Sequence, residues 1–384
     1  MNFRDEVLNV RESPMVQIAT AAESMPGSVK LCYGESDMVT PDFICRAATD
    51  ALQAGHTFYT HTAGYKELRE AIAEKTLELH GRPCGASEIV TTIGASAAIF
   101  TAIRTFVGAG DNAVVISPAY AIFANCVTMV GGEPRAVPLV RQGKRFMLDL
   151  ARVERAIDGR TRMLIVNSPS NPTGWMATID EQRALVQLAE AHDVMILSDE
   201  VYDRLVYDVP RVAPSFATFA QPDRVIVANS FSKTYCMTGW RLGWAQASER
   251  IVHQMYKAAE FITSNAAAMV QQAGIVALRD GEPFLRELRA HYTQRRAQVL
   301  RALASIPGVS VMEPQGAFYV FFAVEGMTDS TAFATDLLRE TGLALTPGVA
   351  FGAAGEGYLR LCFAAREQTV ADGLQRFSNY MARR

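Results

Sequence analysis

Three short apolar runs in the middle of the chain, at residues 163–166, 194–197 and 225–228, each break off on polar residues of quite different chemistry. Runs of this length with no polar alternation read as strands buried on both faces. Their strand-and-helix rhythm builds a mostly parallel sheet, and hence an α/β fold. Ligands of such sheets bind at the carboxyl ends of the strands. The first run leads into NSPSNPTG (residues 167–174) with Asn171, the second into Asp199 and Tyr202, and the third into Ser230, Ser232 and Lys233.

The third end has the most specific chemistry. Two hydroxyls and an amine, with Arg241 eight residues on, suit a phosphate joined to a carbonyl: guanidinium and hydroxyls hold the phosphate, and the amine forms an imine. Pyridoxal phosphate has that combination. Taken alone, a lysine is most often a solvated charge and a serine-rich stretch a loop. Asp199 adds weight, since a carboxylate at the neighbouring strand end could keep a pyridine nitrogen protonated while Tyr202 reaches the ring oxygen. An acidic residue at that turn, Asp199 or Glu200, could equally cap a following helix.

In order and spacing these segments resemble the class I/II aminotransferases of fold type I, the pyridoxal 5'-phosphate enzymes that include aspartate, aromatic and alanine aminotransferases. The likeness runs nearly end to end. It implies a large cofactor-binding domain over residues 46–285, with a mostly parallel seven-stranded sheet between helices, and a smaller α+β domain that joins 1–45 to 286–384. In YGESDMVTP (33–41) it implies that Gly34 approaches the substrate carboxylate. In YTHTAGYKELREAIA (59–73), Tyr59 would touch the phosphate bound to a neighbouring subunit, so the expected assembly is a homodimer with shared active sites. In IVTTIGASAAIF (89–100), Gly94, Ala95 and Ser96 would present backbone amides to the phosphate at a helix start. Tyr120 in SPAYAIF (117–123) would stack on the cofactor ring. Asn171 would contact both cofactor and substrate, and Arg360 in YLRLCFA would pair with the α-carboxylate, a task for which a planar fork suits better than an ammonium. PQGAFYVFF (314–322) reads as a strand of the smaller domain.

The implied reaction moves an amino group from an L-amino acid to a 2-oxo acid. Lys233 holds the cofactor as an internal aldimine and then carries the α-proton, with Asp199 and Tyr202 tuning the ring. Where several bacterial aspartate-using relatives carry a lysine after the glycine turn, this chain has Ser96, and the covering segment SPMVQI (13–18) is mostly apolar. A neutral, apolar or unusual side chain is the expected substrate. The same anchors would serve a lyase or a cyclising synthase, which ammonia release without a keto acid would reveal. A non-catalytic binding module that kept the fold is disfavoured by the presence of Lys233, Asp199, Arg241 and Arg360 together.

Composition excludes more than it selects. At 384 residues and 49% hydrophobic, the chain is too long for one core. A net charge of -3 with no basic patch argues against nucleic acid. No run approaches a membrane span or a signal peptide. Six scattered cysteines and six histidines without ligand spacing point to a reducing cytoplasm and no metal, with Cys236 read as an inert buried thiol. Helices are expected at 65–80, with Leu68, Ala71, Ile72, Leu77 and Leu79 on its apolar face, and at 286–303.

Overall fold

A computed structural model describes residues 2–209 and 211–384. The three apolar runs lie inside β4 (Thr161–Asn167), β5 (Met195–Asp199) and β6 (Val225–Ser230). They share one sheet with β1 (Ile89–Thr92), β2 (Asn112–Ser117), β3 (Glu133–Pro138) and β7 (Gly243–Gln246). The order is β1-β7-β6-β5-β4-β2-β3. The sheet is mostly parallel, and β7 alone among the seven runs against both its neighbours.

Period-two alternation sends successive side chains to opposite faces. Val115, Ile165, Leu197 and Ile226 join one core with Ile99, Ile103 and Val252 of the helices Ala95–Phe106 and Glu249–Glu260. Val114, Leu164, Ile196 and Val227 join another with Leu185 and Val186 of the helix Ile179–Ala191. Both faces are covered by helices, which is why the strands read as unbroken apolar runs rather than alternating ones.

A second, antiparallel sheet follows from β8 (Val309–Val311), β9 (Tyr319–Val324), β10 (Thr346–Pro347) and β11 (Tyr358–Cys362), in the order β8-β9-β11-β10. PQGAFYVFF thus supplies β9. Its core includes Leu285, Leu288 and Val299 of the helix Glu282–Ala304 and Leu31 from the N-terminal segment. That segment adds Val29–Lys30 in parallel to Leu343–Ala344.

The helix expected at 65–80 runs Lys66–His80 and stops where Gly81 turns left-handed, φ 65°. Its buried stripe differs from the expected one. Leu77 is half exposed and Thr76 takes the inward place, with its hydroxyl bonded to the carbonyl of Ile72. Leu77 lies five residues past Ile72, about 140° around the helix from it, and so off the stripe. The long helix starts before residue 286, at Glu282, because Pro283 fits a first helical turn. Among the described residues no helix is long and apolar enough to cross a membrane.

Candidate active site

Registers in the large sheet bring the polar ends level: Asn167 pairs with Asp199, and Asp199 with Ala228. Ser230 then ends β6 and caps the one-turn helix Phe231–Thr234, its hydroxyl accepting from the amide of Ser232. That turn aims Lys233 across a cleft of about 290 Å³. Gly34, Ala95, Ser96, Tyr120, Asn171, Asp199, Tyr202, Ser230, Ser232, Lys233, Arg241 and Arg360 all line this cleft. Gly94 is not among the lining residues and lies directly before Ala95, which is. Tyr59 does not line it and is 90% exposed in this chain.

Lys233 Nζ donates to the carbonyl of Gly34 at 2.6 Å. Burial pulls its amine down to about 8, with Cys362 and Glu35 opposing and the Arg360 and Arg241 charges assisting. Such an amine is partly neutral near physiological pH. Asp199 is buried, and its carboxylate accepts from the amide of Val201. Desolvation pushes its carboxyl up to about 7, against that amide and the Lys233 charge. Asp199 and Glu200 cap no helix, because only a turn follows β5. Glu200 faces away and accepts from Ser198 Oγ and the amide of Phe216.

Two arginines carry the clearest electrostatic message. Arg360 on β11 is fully buried and its guanidinium lies between the rings of Tyr319, at 4.5 Å, and Phe351, at 4.9 Å. It donates to Asn171 Oδ1 at 2.9 Å, Thr346 Oγ1 at 3.1 Å and the carbonyl of Cys32. No carboxylate pairs with it among the described residues. A buried charge compensated only by dipoles is costly unless an anion completes it. Arg241, in left-handed backbone at φ 57°, donates among the described residues only to carbonyls, those of Thr238 and Ile93. Lys233, Arg241 and Arg360 together face one acid in the cleft, Asp199. The cleft is built for anions.

Gly94 sits at φ 85° just before the helix Ala95–Phe106, whose first amides have no intrahelical partner. A Cβ there would lie 2.4 Å from Arg241 Nη2. The guanidinium therefore packs directly over the glycine turn, and Arg241 lines the same cleft as Ala95 and Ser96 of that helix start, a combination suited to a phosphate. Gly243 matters for the same cradle and escaped the sequence reading. A Cβ on it would meet the backbone of Asn229, Gly94 and Ala95 within 2.8 Å.

Two further residues, Asn167 and Tyr319, were not assigned from sequence, while Met15 lies in the covering segment SPMVQI. Asn167 accepts from the amide of Asn171 and donates to the carbonyl of Asp199, locking two site residues together. Tyr319 shares a 2.7 Å hydrogen bond between its hydroxyl and that of Tyr202. Met15 brings its sulfur within 3.6 Å of Arg360. Asn167 stood in a quoted motif, and its place as the last residue of β4 was the signal. Gly34 needs its missing side chain for a reason beyond the expected one: a Cβ would lie 2.8 Å from the Tyr319 hydroxyl. Cys236 is a buried free thiol, raised by desolvation.

Residues 26–377 match the family described as aminotransferase class I and II. An aspartate aminotransferase of Pyrococcus horikoshii is 36% identical over 97% of this chain and 95% of its own. An aromatic-amino-acid aminotransferase 2 of Thermococcus litoralis is 33% identical over 99% and 98%. Among solved structures, N-succinyldiaminopimelate aminotransferase from Mycobacterium tuberculosis superimposes with a TM-score of 0.94 at 29% identity, covering 98% of this chain and all of the other.

Proposed function

The chain belongs to the class I and II aminotransferases, and from that premise we propose that its cleft holds pyridoxal 5'-phosphate on Lys233 and acts on amino acids with neutral or apolar side chains. The carrying observation is the set of three cations, one acid and one glycine turn around a single cleft. Arg241, Ser230, Ser232 and the amides after Gly94 would take the phosphate, Tyr120 the ring face, and Asp199 the ring nitrogen. Bound there, the cofactor supplies an electron-withdrawing ring that stabilises charge on the substrate's α-carbon.

The remaining chemistry belongs to the chain. Arg360, Asn171 and Gly34 hold the α-carboxylate and fix which α-bond faces Lys233. Lys233 Nζ, with its basicity lowered to about 8, takes the α-proton and returns it within the cleft, near the ideal match between base strength and working pH. Tyr202 and Asn171 orient the ring oxygen. Arg360 and Gly34 come from the segments 286–384 and 1–45, and Lys233, Asp199 and Asn171 from 46–285. We keep that division as a domain proposal, which proteolytic release of fragments cut elsewhere would overturn.

Lys233, Arg241 and Arg360 are the cations lining the cleft, and the imine, phosphate and α-carboxylate use all three. Met15, Ile99 and Ile122 line it too. A second carboxylate on the substrate would therefore be desolvated without a partner. The named relatives span acidic and aromatic amino acids, so the choice rests on this lining. The exposed Val39, Phe58, Tyr59 and Phe261 support a homodimer in which Tyr59 serves the neighbouring site, and the six free thiols support a reducing compartment.

One preparation tests these points. The purified protein should show a visible band that an apolar amino acid bleaches at least ~10-fold faster than aspartate or glutamate, and light scattering should give twice the chain mass. Aspartate and glutamate as the best pair would sink the substrate reading. A monomer would remove Tyr59 from the site.

Asp199 gives a pH-dependent test. Its folded carboxyl titrates at about 7 against an ordinary 3.8. Below the lower value both states are protonated and nothing is lost. Between the two, the native state keeps a proton that the unfolded chain releases, so stability falls as pH rises through about 7, by roughly 4 kcal/mol in all. Asp199→Asn keeps the acceptor for Val201 and removes that penalty. At pH 8 the cofactor-free variant should melt a few degrees higher than wild type, while transamination drops ~100- to 1,000-fold. A less stable variant, or an unimpaired one, contradicts the assignment.

A further inference from the structure

We propose that Tyr319 is a positioning residue that sets the donor direction of Tyr202 and floors the Arg360 guanidinium, so that one side chain couples the ring-oxygen contact to the carboxylate contact. The inference rests on the pyridoxal phosphate reading above. Tyr319 is wholly buried at the start of β9, yet it borders the cleft. Three of its contacts fall on residues with separate jobs. Its hydroxyl meets that of Tyr202 at 2.7 Å, its ring lies 4.5 Å beneath the Arg360 guanidinium carbon, and the same hydroxyl fills the space that a side chain on Gly34 would need.

Among the described residues, Tyr202 is the hydrogen-bond partner of the Tyr319 hydroxyl. Arg360, whose guanidinium lies over the Tyr319 ring, offers only donors. When an acceptor occupies the cleft, the proton of Tyr319 goes to the Tyr202 oxygen, and the proton of Tyr202 is turned into the cleft toward the ring oxygen. Chained hydroxyls polarise one another, so the outer donor is stronger than a lone phenol. Edge-to-face packing of Tyr202 against Phe318, at 5.4 Å, and against Tyr319, at 5.7 Å, fixes both rings for this. Losing the inner hydroxyl weakens the outer donor. More negative charge then stays on the ring oxygen, and the neighbouring Lys233 nitrogen keeps its proton to higher pH.

The experiment is a pH titration of the visible absorption of pyridoxal phosphate-loaded protein in wild type, Tyr319→Phe, Tyr202→Phe and the double variant. Tyr319→Phe keeps the ring and should move the absorption midpoint upward by about half a pH unit or more. In the Tyr202→Phe background it should add nothing, because the two act through one bond. Tyr319→Leu, which also loses the face under Arg360, should in addition raise KM for the amino acid several-fold, while Tyr319→Phe leaves KM near wild type. A Tyr319→Phe midpoint at the wild-type value, or full additivity in the double variant, overturns the proposal whatever the melting temperatures do. Should Tyr319→Leu not fold, the phenylalanine cycle still decides. A wild-type protein that takes up no pyridoxal phosphate overturns the functional reading itself, and that outcome is distinct from an unmoved midpoint.

Discussion

Lys233→Ala is expected to lower transamination by ~10,000-fold or more while the protein still folds and still retains pyridoxal phosphate. General acid–base transfer by one positioned group contributes ~100- to 10,000-fold, and Lys233 would also be the covalent anchor, so both contributions disappear together. Beyond those roles its amine lies 5.9 Å from the Phe318 ring centre and its charge favours the ionised form of Asp199. Among the described residues its amine has one hydrogen-bond acceptor, the carbonyl of Gly34, and burial already disfavours its charged form, so its removal leaves no uncompensated buried cation. The proposed phosphate donors, Arg241 and the turn at Gly94, are untouched. The check is single-turnover kinetics with a reactive amino acid, beside an absorption spectrum and equilibrium dialysis of the cofactor. Activity within about tenfold of wild type would remove Lys233 from its assigned role. Loss of cofactor together with activity would mean that the covalent bond, rather than the phosphate cradle, dominates retention.

The sequence exposes the strand ends because a doubly covered parallel sheet imposes unbroken apolar runs, and each run must stop where the chain enters the ligand edge. Asn171, Asp199 and Lys233 were therefore legible one by one, Asp199 as the last residue of its strand and the other two a few residues past theirs. What joins them is longer range. Lys233 meets Gly34 across 199 residues and Arg360 meets Asn171 across 189, separations at which a single sequence carries no spacing signal. Tyr319 was hidden for another reason: it sits in AFYVFF, where aromatic residues on both faces of β9 look like core whether or not one borders a cleft. Gly243 was hidden because its constraint is the backbone of two other segments. Leu77 was misplaced because apolar character was counted where the angular position around the helix decides burial. Tyr59 stands apart in that its expected contact lies on a second copy of the chain, beyond the geometry of one.

Arg360→Lys is expected to reduce kcat/KM by ~100- to 1,000-fold, mainly through a higher KM for both the amino acid and the oxo acid, with the cofactor spectrum unchanged. The charge is conserved, so the loss must come from shape. The guanidinium meets Asn171, Thr346 and the Cys32 carbonyl while its plane rests between Tyr319 and Phe351, and a carboxylate would complete it with two parallel hydrogen bonds. An ammonium is a point donor on a flexible stem. It cannot keep those partners and offer a two-pronged face, nor does it stack between rings as a planar group does. Truncating one member of a desolvated, hydrogen-bonded charge pair costs about 2–5 kcal/mol, and each 1.4 kcal/mol is about tenfold, which brackets the expected loss. Because both half-reactions bind an α-carboxylate in the same place, the two KM values should rise together. A rise confined to one substrate would place the shared carboxylate elsewhere, and a changed cofactor spectrum would show that Arg360 acts on the ring as well. Steady-state kinetics with the two substrates varied separately, at a cofactor loading matched to wild type, distinguishes the three results.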